Sequence, residues 1–228
     1  MSDTTPRTPA WGVLWDMDGT LVDTEPYWFA AEYELVEEHG GTWNDEHAHF
    51  LVGSDLLDGA AYIKEHGNVP LDVHEIVFRL EASVARRTRA EIPWRPGARE
   101  LLAALHAADV PCALVTMAWR GSASAVLDAL PEGWMRTSVT GDEVPEGRGK
   151  PHPDPYLKGA ALLGLDPTRC VAIEDSRTGA RSALAAGCVT LGVPNAVSLD
   201  GLDGLILRDT LAGMTPTDLL ELVASRLA

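Results

Sequence analysis

Two aspartates follow a short apolar run near the start of the chain, within the segment WGVLWDMDGTLVDTEP at residues 11–26. Side chains two residues apart on an extended chain point the same way, so Asp16 and Asp18 are expected to leave a strand end on one side. Gly19 then lets the backbone turn away. Two carboxylates about 4 Å apart repel each other by about 4 kcal/mol at an effective dielectric constant near 20. The pair therefore predicts a bound cation or a retained proton, although Asp-Gly is also an ordinary turn sequence.

Polar residues also end two later apolar runs. Thr116 ends the run at residues 110–115, and Glu174 with Asp175 ends the run at residues 170–173. Strands that alternate with helices favour a parallel sheet, in which ligands bind at the carboxyl ends of the strands. These side chains are therefore expected to meet the aspartate pair. Taken alone, a threonine that ends a strand is common.

The arrangement of apolar runs predicts an α/β fold: a doubly wound, mostly parallel, Rossmann-like sheet with an inserted small all-helical domain. Strands are expected at residues 13–15, 110–115, 138–140, 170–173, 189–193 and 205–207. We predict a core domain over residues 10–23 and 94–228, and an inserted helical domain over residues 24–93 with helices at 27–39, 56–66 and 72–89. Residues 1–9 are predicted to form a loose tail.

The amino-acid composition restricts the possible partners and cellular location of the protein. The chain has 228 residues, of which 46% are hydrophobic, enough for a core and too many for global disorder. Its formal net charge of −16 argues against nucleic acid or an anionic membrane as main partner. Three cysteines without C-x-x-C spacing suit a reducing compartment. With no apolar signal core and no run near the ~18 residues of a membrane span, we expect a cytoplasmic monomer or small homo-oligomer.

Four motifs in order carry a family resemblance. They are DMDGTLVDTEP from Asp16, LVT ending at Thr116, GKPHPDPYL around Lys150, and IEDSRTGARSALAAG around Glu174. With these motifs the chain resembles the haloacid dehalogenase (HAD) superfamily, in its sugar-phosphatase and β-phosphoglucomutase-like branch with a helical cap. The resemblance implies that the inserted helices form this cap.

The resemblance implies a Mg²⁺ cofactor and a role for each acidic residue. Asp16 would be the nucleophile that forms an aspartyl-phosphate, and Asp18 the general acid and then the general base. The metal would be held by Asp16, the Asp18 backbone carbonyl, Asp175 and Glu174. Neighbouring residues on a strand point opposite ways, so Glu174 and Asp175 can both reach the ion only if the strand has broken there.

The remaining motif residues are expected to bind the substrate. Thr116 would offer its hydroxyl to a phosphate oxygen, and Lys150 would neutralise the nucleophile and the phosphate. Lysine in a loop is more often simply solvated, but the sequence after Lys150 matches the family. The family usually has Asn or Ser where Met117 stands, so a second side-chain contact at Met117 is in question. Within the inserted domain, Gly53 and Ser54 are the best substrate-binding candidates.

Other residues of the inserted domain are candidates that could equally be packing or surface residues. They are Glu25, Trp28, Asp55 and Lys64. Mutase members of the branch typically place a histidine where Trp28 stands, so its presence argues against a mutase.

The activity expected from the resemblance is Mg²⁺-dependent hydrolysis of a small phosphorylated metabolite, such as a sugar or polyol phosphate. One alternative is a sugar phosphomutase of the same branch. Another is a non-catalytic binding protein on the same scaffold. Dehalogenase chemistry is disfavoured because those relatives lack the second aspartate, which this chain keeps at Asp18.

Overall fold

A six-stranded sheet forms the centre of the protein in a computed structural model that describes residues 11–227. The tail predicted over residues 1–9 lies outside the described residues. The strands are β1 (Gly12–Trp15), β2 (Cys112–Val115), β3 (Thr137–Val139), β4 (Cys170–Glu174), β5 (Val189–Gly192) and β6 (Ile206–Leu207). Their order is β3-β2-β1-β4-β5-β6, and all neighbours are parallel.

Helices surround this sheet and fill the segment between β1 and β2. They are α1 (Glu25–Glu38), α2 (Asp45–Leu51), α3 (Leu56–His66), α4 (Val73–Ala90), α5 (Ala98–Ala107), α6 (Arg120–Leu127), α7 (Asp154–Leu162), α8 (Arg177–Ala185) and α9 (Pro216–Leu227). Short 3₁₀ turns lie at Gly141–Glu143 and Pro167–Arg169. Among residues 11–227, no helix has both the length and the apolarity to span a membrane.

Both faces of the sheet are buried, as a doubly wound fold requires. Val13 and Trp15 of β1 point into a hydrophobic cluster that includes residues of α5, α6 and α9. Leu14, between them, points into a second cluster with residues of α7 and α8. This alternation follows from the period of two along a strand. The predicted fold class is confirmed.

Each of the six strands differs from its predicted range by one or two residues at one or both ends, and for β2 and β4 the difference has a local reason. β2 begins at Cys112 rather than at residue 110, since Pro111 has no N–H to donate to a ladder; its carbonyl instead accepts the Val13 amide at 2.9 Å. β4 extends one residue further than predicted and includes Glu174, whose backbone is paired with Gly192 of β5.

Helices α1 to α4 have a hydrophobic cluster of their own, which includes Leu35, Ile63 and Val84. The chain segments that lead into and out of these helices pair with each other through an antiparallel bridge between Val22 and Trp94. The exact bounds of the predicted helical domain stay a prediction. We call residues 24–93 the helical insertion.

Helix α2 was not predicted. It has only seven residues and no apolar periodicity, but Asn44 caps it by accepting the His47 amide at 3.1 Å. An Asn followed by two acidic residues is a helix-start signal that could have located it.

Candidate active site

The predicted site residues converge at the carboxyl end of the sheet, next to β1. Asp16 follows β1, Thr116 follows β2 and Asp175 follows β4, and β1 lies between the other two strands. The strand order reverses at this point, because β2 and β3 lie on one side of β1 and β4 to β6 lie on the other. Open parallel sheets bind ligands at such switch points.

Lys150 reaches this point from a loop. Its Nζ atom donates to Asp16 Oδ1 at 2.7 Å, to Glu174 Oε1 at 2.7 Å and to the Val115 carbonyl at 2.9 Å. The side chain is 6% exposed, so Lys150 is not a solvated loop lysine. Burial alone would lower the pKa of Lys150, but the carboxylates of Asp16 and Glu174 outweigh it and raise the pKa. Lys150 is therefore a fixed positive charge beside Asp16.

Glu174 is held by several groups of the protein. Its Oε1 accepts from Lys150 and from the Tyr156 hydroxyl, each at 2.7 Å. Its Oε2 accepts from the amide and hydroxyl of Ser176 at 3.3 and 3.1 Å. A Cβ atom at position 179 would lie 1.7 Å from Glu174 Oε1, so Gly179 is what lets helix α8 approach this carboxylate.

Asp16, Glu174 and Asp175 each place one carboxylate oxygen within 4.8 Å of the other two. All three residues are buried. Gly19 makes room for this cluster, because its φ is +84° and a Cβ there would lie 2.0 Å from Asp175 Oδ2. Hard oxygen ligands of this kind fit Mg²⁺.

The charge balance of the cluster also fits a cation. Burial and the neighbouring Glu174 charge raise the pKa of Asp16 to about 7, although Lys150 opposes the shift. Burial and the Asp16 charge raise the pKa of Asp175 well above its usual value. One lysine therefore does not neutralise all three carboxylates, and a divalent ion would restore their ionised forms.

Asp18 has different partners from Asp16. Its Oδ1 accepts from the Thr24 hydroxyl and, at 3.3 Å, from Trp28 Nε1. Its Oδ2 lies 3.4 Å from the Thr116 hydroxyl. Burial raises the pKa of Asp18 despite these hydrogen bonds. The two aspartates thus have separate environments, and the one at position 18 is suited to carry a proton.

Thr116 and Met117 connect the loop after β2 to the rest of the site. The Thr116 hydroxyl oxygen accepts the Ala118 amide at 3.0 Å. The Met117 sulfur accepts the Lys150 backbone amide at 3.5 Å. The structure therefore places the Met117 side chain against the loop that carries Lys150, a contact that the motif comparison did not foresee.

A cavity of about 150 Å³ lies between the helical insertion and the carboxyl end of the sheet. Asp16, Asp18, Thr116, Lys150 and Asp175 line one side of it. Most candidates predicted in the insertion also line this cavity. They are Glu25, Trp28, Gly53, Ser54 and Asp55.

The structure differs from the prediction at two residues of the insertion. Lys64, a predicted candidate, is exposed and is not among the lining residues. Glu32 lines the cavity and was missed, because a glutamate in an amphipathic helix gives no sequence signal of burial. The place of Glu32 in the cavity wall becomes visible only once the packing of α1 is known.

Comparison with known proteins agrees with this geometry. A family model described as haloacid dehalogenase-like hydrolase matches residues 12–187. Hexitol phosphatase A of Escherichia coli (strain K12) is 35% identical over 190 residues, which cover 80% of this chain and 82% of that protein. The phosphorylated carbohydrates phosphatase of Thermotoga maritima is 28% identical over 213 residues, covering 92% and 97%.

Solved structures share the fold. CbbY from Rhodobacter sphaeroides in complex with phosphate has a TM-score of 0.82 at 27% identity, covering 92% of this chain and 99% of that one. The β-phosphoglucomutase of Clostridium difficile has a TM-score of 0.79 at 18% identity, covering 96% and 99%, and shows the fold alone. On the family match and the relatives together, this chain belongs to the haloacid dehalogenase-like hydrolases.

Proposed function

We propose that the protein is a Mg²⁺-dependent phosphatase that hydrolyses a small phosphorylated metabolite, a sugar or polyol phosphate, through an aspartyl-phosphate. The observation that carries the proposal is the position of Asp16, which lies 2.7 Å from the Lys150 ammonium while Asp18 is bonded elsewhere. The names of the two curated relatives support the substrate class.

In the first step, an oxygen of Asp16 attacks phosphorus and the bond from phosphorus to the leaving oxygen breaks. Lys150 offsets negative charge on the nucleophile and the phosphate, and the Thr116 hydroxyl donates to a phosphate oxygen. Asp18 gives its proton to the leaving oxygen. In the second step, Asp18 takes a proton from water, the water oxygen bonds to phosphorus and the Asp16–phosphorus bond breaks.

We propose that Asp16, Asp175 and the Asp18 carbonyl hold the metal. The bound ion supplies the counter-charge that lets an anionic aspartate approach a phosphate dianion. Glu174 lies within reach of the same ion, but each of its oxygens already accepts two hydrogen bonds. Its stronger role in this proposal is to hold Lys150 in place.

The helical insertion, residues 24–93, is proposed to act as the cap that covers the substrate. Support comes from the cavity, which has side chains of the insertion on one side and the aspartates on the other. A phosphomutase is less well supported, because Trp28 stands at the position of the mutase histidine and its Nε1 bonds Asp18.

The test is phosphate release from a panel of sugar, polyol and nucleoside monophosphates with Mg²⁺ present. We expect steady release that stops in excess EDTA and in Asp16→Asn. Transfer of the phosphoryl group within the sugar, without phosphate release, would favour the mutase. Release that is undiminished in EDTA would contradict the metal role.

A further inference from the structure

The side of the cavity formed by the helical insertion carries acidic and apolar side chains. Among the lining residues that the structure describes within 11–227, Lys150 is the single lysine or arginine, and it lies on the side of the sheet. Glu25, Glu32 and Asp55 lie on the side of the insertion. Arg95 and His49 are close enough to Glu25 to affect its charge, but neither lines the cavity.

Glu32 is the most deeply buried acidic residue of this wall, with 5% of its surface exposed. Its Oε2 accepts from Trp43 Nε1 at 3.1 Å. Its other oxygen has no hydrogen-bond partner within residues 11–227, and the residue lines the cavity, as do the apolar residues Phe29 and Ile63. Because Glu32 lines the cavity, this acceptor is open to a group on the ligand rather than sealed in the core.

The protonation of Glu32 is compatible with a hydroxyl partner. Burial raises the pKa of Glu32 to about 8, although the Trp43 bond opposes the shift. Near neutral pH the carboxyl group therefore both donates and accepts, as a hydroxyl does. A second anion on the substrate would instead face the carboxyl groups of Glu25 and Asp55 in the same wall.

We propose that Glu32 is a specificity-determining residue that hydrogen-bonds a hydroxyl at the far end of a monophosphate substrate, in a wall that rejects a second anionic group. This inference rests on the proposed phosphatase activity. It adds a preference that the activity itself does not require: a polyhydroxy monophosphate over the corresponding bisphosphate, and over an alkyl phosphate of equal length.

A purely structural role for Glu32 makes a different prediction. If Glu32 served only to bond Trp43, replacing it would destabilise the insertion without changing the preference among substrates. The preference is therefore measured as a ratio of kcat/KM values for two substrates on the same enzyme, which cancels any loss of folded protein.

The first experiment uses the unaltered enzyme with Mg²⁺ and three probes: hexitol 6-phosphate, hexitol 1,6-bisphosphate and hexyl phosphate. We expect kcat/KM for the hexitol monophosphate to exceed the other two values by about tenfold or more. Hexyl phosphate has no hydroxyl to bond Glu32, and the second phosphate of the bisphosphate is opposed by the acidic wall. Equal values for the monophosphate and the bisphosphate would overturn the inference while leaving the phosphatase intact. No phosphate release from these probes or from any member of the panel described above would overturn both.

The second experiment compares Glu32→Met and Glu32→Gln with Glu37→Gln, an exposed glutamate on the same helix. We expect the ratio of hexitol 6-phosphate to hexyl phosphate to fall about tenfold in Glu32→Met, since an apolar side chain of similar length cannot bond a hydroxyl. Glu32→Gln, which keeps an amide donor and acceptor, should restore most of the ratio, and Glu37→Gln should leave it unchanged. An unchanged ratio in folded Glu32→Met would contradict the inference. A ratio in Glu32→Gln that falls as far as in Glu32→Met would also contradict it.

Discussion

The carboxylate of Glu81 accepts hydrogen bonds from the backbone amide and the hydroxyl of Ser122, each at 2.9 Å. It also accepts the Trp119 amide at 3.0 Å. Glu81 belongs to α4 of the helical insertion, whereas Trp119 and Ser122 lie at the start of α6, directly after the loop that carries Thr116. One side chain of the insertion therefore caps a helix of the sheet domain beside the proposed phosphate loop.

We predict that Glu81→Ala lowers the free energy of unfolding by roughly 2–3 kcal/mol, because two buried donors and one partly buried donor lose a common acceptor at a helix N-terminus. Urea unfolding followed by circular dichroism measures this. Glu65→Ala, at an exposed site on α3, is the control and should change stability little. A loss no larger than in the control would mean that the Glu81 contacts contribute nothing net.

Lys150 offers a sharper test of charge in the site. Lys150→Met should lower kcat/KM by about 10²–10³, because a preorganised positive charge beside the nucleophile is removed. The control is Lys158→Met on α7, a lysine whose side chain is 42% exposed and bonds the Glu143 carbonyl. Phosphate release and circular dichroism on both variants separate catalysis from folding. Equal activity in the two variants would remove Lys150 from the mechanism.

The burial of Glu32 predicts a dependence of stability on pH. Its folded pKa of about 8 lies above the ordinary value of 4.5, so between these values the folded state keeps a proton that the unfolded state releases. Stability from this group therefore falls as pH rises through that window. Glu32→Gln removes the effect, so its melting temperature relative to the parent should rise between about pH 5 and pH 8.

The matched comparison is Glu37→Gln, whose exposed site should give a difference that stays flat across the same pH range. Melting curves at several pH values decide between the two patterns. A flat difference for Glu32→Gln would show that its carboxyl group is not buried in the neutral form.

The sequence pattern located the residues at the strand ends, because the end of an apolar run can be recognised from neighbouring residues. Asp16, Thr116 and Asp175 end apolar runs, and a parallel sheet brings such ends together. Lys150 was located only by the family motif, since nothing in a loop sequence shows where a long side chain points.

Contacts between distant parts of the chain could not be predicted from one sequence. The bonds of Glu174 to Tyr156, of Met117 to the Lys150 loop and of Glu81 to α6 each join residues far apart in the chain. Glu32 looks like any helix glutamate until the packing of α1 is known. The predicted cytoplasmic location and oligomeric state stay predictions.

The proposed mechanism requires Asp16 to form a covalent bond to phosphorus, and Asp18→Asn should expose that bond. An aryl phosphate releases a weakly basic leaving group that needs no proton, so the first step should proceed in this variant. The second step should stall, because the introduced amide cannot take the proton from water. Acid quenching followed by mass spectrometry of peptides should then find one phosphoryl group on Asp16, and none in the variant that also carries Asp16→Asn. A phosphoryl group on another residue, or aryl phosphate hydrolysis at the parental rate with no phosphoryl enzyme, would contradict the mechanism.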